Sequence, residues 1–295
     1  MEKSGHWPLF FCIVICIVRG KALLSLSFGN PCRFAKARTN FKINYCAMKK
    51  LFLFLSIVLF SFQAFSQEYY EIRSYQMKFR GNLKSLEGYI QNALIPALNA
   101  YGVSKVGVFK DYGKQEPVTL VVAIPFKNIE AYAGYRAALE KNVVYQEASK
   151  AYFDQVGPDK PLYEKISTYL AKGFSGHPNL TLPTKDASRI YEWRTYESYN
   201  EDALRRKIAM FNEEELKIFD NVGLHNVFFG EVLAGENTPC LSYMVSFANM
   251  AERDANWAKF SADADWKRIS NDPKYANSHS RTVRKFLEPT AYSQW

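Results

Sequence analysis

Cysteine is scarce in this chain of 295 residues. There are five, and Cys12, Cys16, Cys32 and Cys46 all fall before residue 67, which leaves Cys240 alone in the remainder. One thiol can form neither an internal disulfide nor a cysteine-based zinc site. Acidic residues are missing from the same stretch: residues 1–66 hold nine Lys or Arg against Glu2. The formal net charge of +9 therefore belongs to the leader, and the rest carries 29 basic against 28 acidic residues. A nucleic-acid partner needs a basic footprint on the folded part, so that class is set aside. Also absent are a Gly-rich phosphate loop, a His-Glu-x-x-His pair and a dense carboxylate motif. His279, beside Ser278 and Ser280, has no acid partner in sequence, so a Ser-His-Asp arrangement has no support. No metal site and no cofactor is expected. What is present is apolar: 48% hydrophobic and 16% aromatic residues, enough for real cores and against global disorder.

The start of the chain reads as a targeting segment. From Met48 come Lys49 and Lys50, then an apolar run from Leu51 to Phe60, then Ala64 and Ser66 at the −3 and −1 places before Gln67. That order is the pattern of a secretory signal peptide over 48–66. The apolar run is too short for a membrane span, and no cysteine follows it to carry a lipid, so a stable membrane anchor is not expected. Residues 1–47 read as an upstream extension. The expected destination is outside the cytoplasm, periplasmic or secreted; the alternative for a basic, acid-poor leader is a mitochondrial transit peptide.

An internal repeat sets the architecture. Tyr70-Glu71-Ile72-Arg73-Ser74-Tyr75 returns 121 positions later as Tyr191-Glu192-Trp193-Arg194-Thr195-Tyr196. At the same ungapped offset Leu83 meets Leu204, Gly102 meets Gly223, Val106 meets Val227, Leu120 meets Leu241, Phe126 meets Phe247 and Asn128 meets Asn249. Each copy reads as strand, helix, strand, strand, helix, strand. Alternation marks strands at 69–77, 103–110, 118–126 and 163–170, and again at 224–233, 240–247 and 282–287. Helical spacing links Leu83, Leu86, Ile90 and Leu94, with Pro96 expected to kink that helix. Gly102 and Gly223 suit left-handed helix ends, and Asn128 and Asn249 suit N-caps. The predicted fold is α+β: two βαββαβ units, 67–171 and 188–290, joined by a linker at 172–187. Each has helices on one sheet face, and the other faces pack sheet to sheet or close into a barrel.

The Tyr-Glu-x-Arg-x-Tyr strands and the Gly102/Gly223 helix ends resemble the NIPSNAP family, as a tandem two-domain member over roughly 68–290. The resemblance implies ferredoxin-like units related to dimeric α/β-barrel proteins, a superfamily with cofactor-free monooxygenases and haem-handling enzymes. It carries over no catalytic residues.

Candidate site residues follow from face assignment. Leu120, Val122, Ile124 and Phe126, with Leu241, Tyr243, Val245 and Phe247, are assigned to the helix side. Glu71, Arg73, Tyr75, Glu192, Arg194 and Tyr196 are then expected to point into the space between the sheets, as a semi-polar pocket for a small molecule. The plainer reading makes them ion pairs that satisfy one another's charge. His225 stands where the first copy has Ser104, and this broken symmetry makes it the acid/base or haem-ligand candidate. His177 reads as an exposed linker residue, and Glu213-Glu214-Glu215 as a solvated helix face. Three readings stand: a protein that captures a small molecule, a cofactor-free oxygenase-like or other small-molecule enzyme, and a haem binder through His225. A homo-oligomer is a further expectation, and residues 67–178 alone, with their second sheet face uncovered, are expected to aggregate or self-dimerise.

Overall fold

The computed structural model describes residues 14–18, 21–25, 66–79, 81–155 and 162–295. Contacts divide the chain into two units, 1–61 and 62–295. In the first, β1 (Val14–Val18) and β2 (Lys21–Ser25) form an antiparallel hairpin. The signal peptide read at 48–66 lies, except for Ser66, outside the described residues. Among the described residues no helix is long and apolar enough to cross a membrane.

The repeat governs everything from residue 66 onward. In the first copy the strands are β3 (Tyr69–Met77), β4 (Gly107–Asp111), β5 (Thr119–Phe126) and β6 (Tyr163–Gly173). In the second they are β7 (Ile190–Glu197), β8 (His225–Ala234), β9 (Cys240–Phe247) and β10 (Arg281–Pro289). All eight close into one antiparallel barrel in the order β10-β4-β5-β3-β6-β8-β9-β7. The two four-stranded sheets therefore meet at both margins, β6 on β8 and β10 on β4. Closure leaves the barrel itself without a free edge, the feature that otherwise invites aggregation.

Helices cover the outside of each half. The first half has α1 (Leu83–Tyr89), α2 (Ile95–Tyr101), α3 (Ile129–Glu140) and α4 (Val143–Phe153). The second has α5 (Glu201–Met210), α6 (Leu216–Val222), α7 (Met250–Ala262) and α8 (Ala264–Ser270). The predicted stops and starts are in place. Gly102 and Gly223 end their helices at φ of 107° and 81°, a region that side chains with a Cβ rarely adopt. Asn128 accepts from Ala131 N–H and Asn249 from Glu252 N–H, each capping a helix.

Pro96 does not cause the irregularity in the first helix pair. One π-helical turn, Ile90–Leu94, joins α1 to α2, and another, Phe211–Glu215, joins α5 to α6 at the same offset of 121. Lys217 stands where Pro96 would be, so the π turn belongs to the repeat and not to the proline. The wider turn places Ile90, Ala93 and Leu94 together in the core. The linker region runs back along the barrel: β6 continues to Gly173, and Thr181 N–H reaches the Val227 carbonyl.

Three cores result. Leu120, Val122, Ile124 and Phe126 pack under the first helices, and Leu241, Tyr243, Val245 and Phe247 under the second, as predicted. The barrel interior is the third, filled by Tyr70, Ile72, Phe109, Val121, Tyr191, Trp193, Phe228 and Met244. Trp295 seals it, with its ring 5.5 Å from that of Phe109. Gly107 is needed there, since a Cβ on it would lie 2.6 Å from the Trp295 indole.

Candidate functional site

Glu71, Arg73 and Tyr75 do not point between the sheets, nor do Glu192, Arg194 and Tyr196. Across an antiparallel pair, directly opposed residues share a face. The register sets Glu71 against Ile124, Arg73 against Val122 and Tyr75 against Leu120. It likewise sets Glu192 against Val245, Arg194 against Tyr243 and Tyr196 against Leu241. Both polar rows therefore lie on the helix side. The larger apolar residues that alternate with them, Tyr70, Ile72, Tyr191 and Trp193, fill the barrel. The pocket expected between the sheets is thus occupied by aromatic side chains.

In the first half a cavity of about 690 Å³ opens between sheet and helices, and Glu71, Arg73 and Tyr75 form part of its wall. Leu94 from the π turn, Tyr89 from α1, Tyr135, Arg136 and Leu139 from α3, and Tyr145 and Ser149 from α4 are among the other lining residues. Phe153 and Ile166 stand at the rim, both partly exposed. This volume is within the range of small-molecule sites.

The polar floor is an ion pair. Arg73 Nε donates to Glu71 Oε1 at 2.6 Å, and Glu71 is fully buried. Arg73 Nη2 donates to the Tyr135 hydroxyl at 2.7 Å, and Arg136 Nε donates to the same oxygen at 3.0 Å. Burial works against the Arg73 charge, yet Tyr75 and Glu71 beside it raise its pKa further above its already high value. Burial pushes the Tyr135 phenol up to about 12 and the Tyr89 phenol higher still. The Tyr89 and Tyr145 hydroxyls are 2.9 Å apart, and the Tyr89 ring stacks on Tyr152 at 4.1 Å. The Tyr89 and Tyr135 phenols remain protonated near neutrality and can donate hydrogen bonds to a guest.

The second half keeps the ion pair and sets a tryptophan against it. Glu192 accepts from Arg194 Nε at 2.7 Å, Arg253 Nε at 2.8 Å and Trp257 Nε1 at 2.7 Å. The Arg194 guanidinium lies 3.8 Å from the centre of the Trp257 ring. Burial works to raise the Glu192 carboxyl, but the two arginines overcome it and hold it below the usual carboxylate range. Farther along, Lys207 and Glu215 form a buried pair at 2.8 Å, with the Lys207 ammonium 4.8 Å from the Phe211 ring centre. Glu215 is thus not part of a solvated face: the π turn carries it inward, and burial raises its carboxyl. Glu213 and Glu214 do stay near the surface, paired with Lys274 and Arg268.

The histidines lie elsewhere. His225 Nε2 is 3.1 Å from Glu252 Oε1 at the start of α7, with the ring half-exposed and outside the cavity wall. His177 is not exposed: its Nε2 is 3.2 Å from the Val227 carbonyl oxygen, and burial lowers its pKa. His279 packs on Tyr196, with burial the larger cause of its lowered pKa. The residues that sequence reasoning missed are Tyr89, Tyr135, Arg136 and Tyr145. Extending the offset of 121 past Asn128 would have exposed one of them, because Arg136 stands where the second copy has Trp257.

A closed antiparallel barrel of two βαββαβ halves, helices outside, is the ferredoxin-like α/β-barrel class. Two solved structures share that fold over most of their length. A candidate monooxygenase from Fusobacterium nucleatum aligns over 76% of this chain and 93% of its own, at 8% identity and a TM-score of 0.51. Another candidate monooxygenase, from Lactobacillus acidophilus, aligns over 76% and 94%, at 10% identity and 0.50. A NIPSNAP-like domain protein from Burkholderia xenovorans, uncharacterised, aligns over 36% of this chain and 89% of its own, at 19% identity and 0.33. No curated protein matches the sequence. The NIPSNAP family model matches residues 191–294, so the chain carries a NIPSNAP domain as its second half.

Proposed function

We propose that this is an exported small-molecule-binding protein whose site is the cavity of the first half. The observation that carries the reading is an open space of about 690 Å³ that ends on the buried Glu71–Arg73 pair. In the second half the Trp257 indole lies over the corresponding pair. One copy of the duplicated unit thus serves as scaffold and the other as receptor. The guest has an apolar, ring-sized body against Leu94, Leu139 and the tyrosines, and a polar end directed to the ion pair. The Tyr89 and Tyr135 phenols, raised by burial, serve as hydrogen-bond donors and not as bases, which favours capture over proton-transfer chemistry. Export rests on the order of basic, apolar and small residues over 48–66.

The test uses the chain expressed with its leader and native mass spectrometry of the processed protein. Wild type is expected to carry an added small-molecule mass, and Ile166→Trp, which blocks the rim, to lack it. Wild type without an added mass, and without a thermal shift from any member of a metabolite library, would overturn the reading.

A further inference from the structure

Trp257 shows what the first-half cavity is shaped to hold. The two halves place the same Glu-x-Arg pair under the same helix, yet they satisfy the carboxylate differently. In the second half Glu192 Oε2 accepts from both Trp257 Nε1 and Arg253 Nε. At the offset of 121, Arg136 replaces Trp257 and Tyr132 replaces Arg253. The Tyr132 ring turns to Phe126 instead, 5.6 Å away. Glu71 Oε1 keeps its bond from Arg73, but Glu71 Oε2 is buried and accepts no hydrogen bond. A desolvated acceptor without a donor is a standing penalty, removed by anything that brings an N–H or O–H to it.

The ring has a counterpart as well. In the second half the indole covers the Arg194 guanidinium at 3.8 Å, a close cation–π stack. In the first half the Arg73 guanidinium is 5.8 Å from the Tyr135 ring centre and borders open cavity instead. Arg136, whose side chain is 68% exposed, is anchored by its bond to Tyr135 and by a 3.8 Å approach to Glu71 Oε1. It can swing into solvent when a ring arrives.

Building on the binding function proposed above, we infer that the cavity takes a planar aromatic ring bearing one N–H or O–H donor, of the indole or phenol type. The ring stacks on Arg73, and the donor reaches Glu71, as the Trp257 indole does with Arg194 and Glu192. Trp257 is the second half's permanent occupant of that place.

Calorimetric titration of the whole protein with indole, 1-methylindole, phenol and anisole tests this. Each methylated probe keeps the ring and loses the donor. Indole and phenol are expected to bind at one site per chain, each at least roughly tenfold tighter than its methylated partner, the scale of one hydrogen bond to a charged group. Arg136→Trp, which rebuilds the second-half plug at an exposed position, is expected to abolish that binding. Trp257→Ala is expected to gain a second indole site. Equal binding of the donor and methylated probes would overturn the inference while leaving a binding cavity standing. So would retention of a co-purifying molecule by a protein that binds none of the four, or unchanged indole binding in Arg136→Trp. The titrations on wild type decide the matter even if Trp257→Ala fails to fold.

Discussion

Removing Arg73 and removing Arg194 should not have the same effect, although the two occupy equivalent places. Arg73→Ala leaves Glu71 fully buried, with Oε2 already unpartnered and the Arg136 head 3.8 Å away as the remaining cation. Breaking a buried pair in this way costs about 3–5 kcal/mol, because the charge left behind is neither solvated nor paired. Arg194→Ala leaves Glu192 with Arg253 at 2.8 and 3.2 Å and the Trp257 indole at 2.7 Å. It forfeits two charge-assisted bonds, to Glu192 and to the Tyr196 hydroxyl, and one ring stack, but it leaves no buried carboxylate oxygen without a donor. The expected order is therefore Arg73→Ala less stable than Arg194→Ala, by about 2 kcal/mol, the middle of what a buried acceptor left without a donor costs. For a folded unit of this size that is a difference in Tm of roughly 4–8 °C. Urea unfolding at pH 7, followed by tryptophan fluorescence and by circular dichroism, measures both variants against wild type. If Arg194→Ala proved as damaging as Arg73→Ala, the contrast drawn between a supported and an unsupported carboxylate would be wrong. An Arg73→Ala protein as stable as wild type would show that the pair is not structural at all.

Four other outcomes are expected. Trp295→Ala should lower stability by about 3–5 kcal/mol, since it empties the barrel mouth between Phe109 and Phe228; an unchanged denaturation midpoint would contradict a packed interior. Cys240 is buried, and burial pushes its thiol up to about 11, so peptide mapping after iodoacetamide should find it unmodified in native protein and alkylated in urea. The Glu192 carboxyl is held below its unfolded value, so its stabilisation is present above the unfolded pKa and lost as pH falls through the lower folded one. Glu192→Gln should accordingly flatten the decline in stability measured below about pH 4.5, and an identical acid limb in both proteins would refute this assignment. Finally, N-terminal sequencing of exported material should begin at Gln67, and a start near Met1 would sink the leader reading.

Much of the architecture was legible in the residues. The offset of 121 announced two copies, the alternation placed the strands, and Gly102, Gly223, Asn128 and Asn249 marked helix ends by their own local chemistry. These are short-range properties, set by a residue's backbone preferences and by its immediate neighbours, so the chain order records them. The polar row of Glu71, Arg73 and Tyr75 was also legible in the alternation, but its direction was not. Which side of a strand faces the helices depends on how β3 registers with β5 and β7 with β9, and a shift of one residue reverses it. Only the tertiary structure decided that these polar rows lie beneath the helices, while Tyr70, Tyr191 and Trp193 close the barrel. The same holds for the difference between the halves. Arg136 and Trp257 are one substitution in the aligned copies, yet whether that substitution leaves a cavity depends on helices and strands far apart in the chain packing around it. A local pattern specifies the elements, and volume is a property of their assembly.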